Sequence, residues 1–167
     1  MKANPFIPAG TVAEMITVLG RWTLGAVFIY TGWHKALAPV DFLKLLRGYD
    51  LPPVPWVLNS IAGVLPWFEM LCGLLLLSGV AVRGTALILE LLLVSFTWLV
   101  LRRAWVLSSA LNLPFCAVKF DCGCGTGAVW VCRKLVENIL LMLLAGGLLT
   151  GRGRRFCLRF GLVSAKD

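Results

Sequence analysis

Four long apolar stretches, at about residues 14–36, 58–82, 84–103 and 128–150, limit what this chain can fold into more than any other feature. About 20 mainly apolar residues cross a bilayer as a helix, and in hydrocarbon only a helix or a closed barrel satisfies its own backbone. The 167 residues therefore hold four such helices, short connections and no second domain. The expected fold is all-α, a membrane four-helix bundle forming a single integral membrane domain over residues 1–167. Composition argues against a soluble domain, because only 14% of the residues are charged, where roughly 25% is usual. It also argues against a nucleic-acid binder. The net charge of +8 sits mostly beside apolar runs, where anionic lipid is the natural partner.

Four crossings put both termini on one side and the first and third connections on the other. The connection around Gly79–Gly84 has room only for a tight turn, so the second and third helices are expected to be antiparallel neighbours. Arg152, Arg154, Arg155, Arg159 and Lys166 concentrate charge in the tail, and the positive-inside rule then places both termini in the cytoplasm. The third connection faces the periplasm of a bacterial inner membrane in that orientation. Trp33, Trp56, Trp105 and Trp130 fall near helix ends or connections of that outer side, which suggests an aromatic belt.

The first outer connection is expected to hold a short surface helix capped by Asp41, with Phe42, Leu45 and Leu46 on one face. Tyr49 would anchor its end among headgroups, and Pro52, Pro53 and Pro55 would extend the chain toward the next span. The N-terminus lacks the marks of a signal peptide, so the first helix is expected to remain in the mature protein. Gly146 and Gly147 are expected to permit close helix contact. Nothing in the sequence bars a homo-oligomer.

The third connection and the start of the last helix carry Cys116, Cys122, Cys124 and Cys132. Cys72, within a span, and Cys157, in the tail, are poor candidates for the same site. A disulfide across the single residue Gly123 would close a small, strained ring, and strained bridges are the labile or catalytic ones. Thr126 is a candidate N-cap of the last helix, whose positive end, with Lys119, Arg133 and Lys134, would favour thiolates. Cys122 and Cys124 are thus the expected redox pair, with Cys116 and Cys132 a second pair that relays electrons to or from it. Four cysteines allow three pairings. Two other readings compete: a site for a soft metal, although the spacing lacks the usual two-residue knuckle, and a loop stapled by purely structural disulfides.

These residues, taken in order, resemble the DoxX/MauE group of small four-helix membrane proteins. The likeness covers roughly residues 20–150: Arg21-Trp22-Thr23-Leu24-Gly25, Thr31-Gly32-Trp33-His34-Lys35, Leu65-Pro66-Trp67-Phe68-Glu69 with Gly73 to Leu77, and Asp121-Cys122-Gly123-Cys124. The resemblance implies a bundle related in architecture to vitamin K epoxide reductase. It also implies work beside a thioredoxin-fold partner in periplasmic disulfide chemistry, as in the maturation of methylamine dehydrogenase. The chain departs from the pattern at Gly125-Thr126, where phenylalanine-glycine is more usual, and by adding Cys116 and Cys132.

Glu14, Arg21, Glu69, Glu90, Arg133 and Glu137 lie in or near the spans, where a central charge costs on the order of 3 kcal/mol. They should face the bundle or one another. Arg133 and Glu137, four apart, are expected to pair locally. Glu69 and Cys72 share a helix face, so Glu69 would either manage protons for a thiol or a bound quinone or fix the bundle through a neighbouring helix. His34, the sole histidine, would carry protons near the cysteine loop or sit at the interface without a task.

Overall fold

In the computed structural model, residues 9–49, 54–121 and 127–150 are described. Five α-helices dominate: α1 (Ala9–Leu37), α2 (Pro39–Gly48), α3 (Pro55–Ser78), α4 (Val82–Leu111) and α5 (Val131–Thr150). Between α4 and α5 lie a 3₁₀ turn (Phe115–Ala117) and the antiparallel strands β1 (Lys119–Asp121) and β2 (Ala128–Trp130).

Local chemistry explains most of the boundaries. Pro39 and Pro55 open α2 and α3, where a missing N–H costs nothing. Gly79 closes α3 at φ 75°, its N–H donating to the Leu76 carbonyl while the Val80 N–H donates to that of Leu75; these are the paired bonds of a Schellman cap. No glycine or proline interrupts residues 85–113, so α4 runs to Leu111 instead of stopping near 103. It ends at Asn112 in the left-handed region, which Asn tolerates better than most residues.

α1 lies along α3 and α4 along α5, and the two pairs meet through α1 with α5 and α3 with α4. The expected contact of α3 with α4 is therefore present, but α3 has its larger partner in α1. The turn only joins the two helices; small residues decide which surfaces pack. A Cβ on Gly73 would stand 2.6 Å from the Gly25 carbonyl oxygen, and one on Gly32 would stand 2.7 Å from that of Pro66. The α1–α3 crossing is thus a backbone-to-backbone approach open only to glycine. Gly146 and Gly147 differ from expectation, since a Cβ on either would meet nothing within 4 Å.

All four long helices feed one core, with Leu24, Phe28, Cys72, Leu76, Leu89, Leu93 and Leu148 among its members. Outward faces are also apolar, as Trp67, Leu91 and Leu143 show, and such helices suit a bilayer. α3 and α4 are long and apolar enough to cross one. α1 carries Glu14, Arg21 and Lys35, and the shorter α5 carries Arg133, Lys134 and Glu137.

α2 forms as expected, with Phe42 and Leu46 packed on Leu58 and Ala62 of α3. Its N-cap position is Ala38, however, and Asp41 sits inside the first turn, paired with Lys44. Tyr49 is buried instead of anchored at the surface, its ring edge-on to Phe120. α5 starts at Val131, not near 128, because residues 128–130 are taken by β2. Thr126, the expected N-cap, lies outside the described residues.

Candidate functional site

The cysteine segment is held at both ends. Cys116, in the 3₁₀ turn, forms a disulfide with Cys132, in the first turn of α5. Beneath it Val118 and Val131 pack on Ala104 of α4, and the Val131 N–H donates to the Val118 carbonyl. Strand register then pairs Lys119 with Trp130, Phe120 with Val129 and Asp121 with Ala128. Cys122 and Cys124 belong to the connection between Asp121 and Gly127, outside the described residues, as does Cys157. Cys116 is exposed and Cys132 half-buried, so the bridge is open to another thiol. Of the charges expected around the thiols, the Lys119 ammonium lies 4.2 Å from the centre of the Trp130 ring, Arg133 pairs with Glu137 at 3.0 Å, and Lys134 is buried. An exposed pair such as Arg133–Glu137 contributes about 0.5 kcal/mol or less.

Asp121 and Gly127 line a cavity of about 250 Å³ with His34, Lys35 and Asp41. The cysteine connection therefore leaves and rejoins described structure beside the end of α1. His34 is half-buried there and edge-on to Tyr30 at 4.4 Å. Its neighbour Lys35 is buried and gives hydrogen bonds of 2.6 and 2.8 Å to the two carboxylate oxygens of Glu69 on α3. This pair follows from the glycine crossing, which brings the last turns of α1 against the middle of α3. Cys72 sits one turn from Glu69 but packs in the core with Leu24 and Leu76, as a small apolar residue does.

On the inner side of Lys35 and Glu69 lies a second cavity, of about 260 Å³, between the helices. Its walls are largely leucine and phenylalanine, broken by Lys35, Glu69, Lys134 and Asn138. Asn138 donates to the Thr97 hydroxyl at 3.0 Å, and that hydroxyl donates to the Leu93 carbonyl. Phe42, Leu46 and Tyr49 close the cavity at the end nearest α2. Lys35 and Phe42 line both cavities.

The structure thus gathers His34 and the flanks of the cysteine connection around the end of α1, with Glu69 of α3 joined to them through Lys35. Sequence reasoning missed Lys35 as the partner of Glu69, and Lys134 and Asn138 as inward-facing groups. A signal existed for the first. Lys35 and Glu69 close the two quoted motifs of α1 and α3, and charges within spans usually pair.

A family profile described as "Methylamine utilisation protein MauE" matches residues 13–151. No curated protein and no solved structure gives a significant match.

Proposed function

The chain belongs to the MauE family of methylamine utilisation proteins, and from that premise we propose that it is an inner-membrane thiol–disulfide exchange protein working on a periplasmic thioredoxin-fold partner. In this reading α1, α3, α4 and α5 all span the membrane as a four-helix bundle, and Cys122 and Cys124 are the exchanging pair. A thiolate attacks one sulfur of a disulfide, the mixed disulfide is resolved by the neighbouring thiolate, and the attacked protein leaves as a dithiol. Atoms and electrons balance in either direction. The observation that carries the reading is the Cys116–Cys132 disulfide, which clasps the two flanks of the Cys122–Cys124 connection. A closed bridge at this place fits an oxidising compartment, and its exposed Cys116 suits a relay to the neighbouring pair.

The same bridge weakens the soft-metal alternative, because it withdraws two of the four thiolates such a site would use. A lipid-soluble quinone would suit the inner cavity, where leucine and phenylalanine would face its ring and Lys35, Lys134 and Asn138 would bring hydrogen-bond donors to a largely apolar space. Such a group would take up the two electrons and two protons released when a dithiol closes to a disulfide. The chain's own part would be to hold a carbonyl oxygen with those donors and to shield it from water with Phe42, Leu46 and Tyr49.

Differential alkylation with mass spectrometry, on full-length protein isolated with and without mild reductant, tests the proposal. Ready interconversion of Cys122 and Cys124 is expected. Bridges that resist reductant would leave only the stapled-loop reading, and a stoichiometric soft ion that blocks alkylation would replace exchange with metal binding.

A further inference from the structure

We propose that Lys35 and Glu69 form a proton-transfer site joining the outer cavity, beside the cysteine connection, to the cavity between the helices. Lys35 lines both spaces, whereas Glu69 lines the inner one. The pair, with Phe42, is therefore the partition between them.

Three observations favour transfer over a purely structural role. First, the α1–α3 contact is already set by Gly25, Gly32 and Gly73, and a buried ion pair is seldom the most stable filling for such a position. Second, one ammonium serves both carboxylate oxygens, at 2.6 and 2.8 Å, so a proton can cross without either group losing its partner. Third, among the described residues Glu69 is the only carboxylate lining the inner cavity. Among the described residues, the other ionisable side chains lining the two spaces are His34, Asp41 and Asp121 on the outer side and Lys134 and Tyr49 on the inner; α4 contributes no charge.

The step balances. A Lys35 N–H proton moves to a Glu69 oxygen, leaving an amine facing a carboxylic acid. The acid passes its proton to a water molecule in the inner cavity, which becomes hydronium, and the amine takes one from hydronium in the outer cavity, which becomes water. One proton has moved inward and the ion pair is restored. The need for such a proton rests on the quinone reading above; the transfer itself is measurable without it.

The test uses the full chain in lipid nanodiscs with no quinone present. At a pH low enough to populate the acid form of Glu69, its carboxyl band is isolated as the infrared difference between wild type and E69Q, and exchange of that carboxyl proton is followed after transfer from H₂O to D₂O at the same acidity. K35R is the decisive variant, because arginine keeps the ion pair but does not deprotonate in proteins. Exchange should be slower in K35R by about 10²-fold, the low end of what a positioned proton donor contributes. Equal exchange in K35R and wild type, or no exchange in wild type, overturns the proposal. Should K35R fail to insert, K35M serves in its place, read by the same criterion. Dithiothreitol-driven reduction of decylubiquinone is then measured separately. Its absence alongside Lys35-dependent exchange would remove the quinone reading and leave the proton site supported.

Discussion

Three glycines decide where the charged pair can form. Gly25 and Gly73 meet backbone to backbone, and Gly32 meets Pro66 and Met70 in the same way. G73A should therefore push α1 and α3 apart and destabilise the folded protein by about 1–3 kcal/mol, the usual cost of overpacking. G63A is the control, since a Cβ there meets nothing within 4 Å; it should be neutral or stabilise by up to about 1 kcal/mol through helix propensity. Thermal unfolding in detergent reads both, and equal melting points would refute the tight crossing. The sequence shows each glycine but not what faces it. Gly146 and Gly147 look the better contact pair on one helix alone, yet they are open, because the partner that would crowd them is set by the packing of other helices.

At the scale of elements, helices were readable and the short hairpin was not. A run of apolar residues announces α3 and α4 directly, whereas β1 and β2 are three residues each, with burial alternating only once along each strand. No periodicity can be read from so few positions. Cysteine pairing was equally hidden, because spacing does not choose among three connectivities. The bridge Cys116–Cys132 spans a sequence separation of 16, and closing a loop of that size stabilises by about 3 kcal/mol in the chain-entropy description. The double variant C116S/C132S should lose most of that locally. Amide hydrogen exchange is expected to speed up in residues 119–121 and 128–130 while the α1–α3 crossing stays protected. Unchanged protection of the strands would mean that the contacts of Val118 and Val131 with Ala104, not the bridge, hold the hairpin.

For the whole molecule, the question is whether two helices or four cross the bilayer. α3 and α4 pass by length and hydropathy alone. α1 and α5 carry charges, but Arg21, Lys35, Lys134 and Asn138 are buried and face the other helices, while Met15, Ile16, Leu19, Val136, Leu140 and Leu143 are exposed. Polar groups inward and apolar groups outward is the pattern expected of helices in hydrocarbon. The two topologies differ at the tail. With four spans, Cys157 and the cysteine connection lie on opposite sides; with only α3 and α4 inserted, both lie on the side where α3 begins and α4 ends. A membrane-impermeant maleimide, applied to spheroplasts after mild reduction, should label the connection cysteines and leave Cys157 unmodified until the membrane is opened. Labelling of both from outside would reduce the spans to two. Labelling of Cys157 alone would reverse the orientation and put the thiol pair in the reducing cytosol, where the proposed exchange loses its oxidising surroundings.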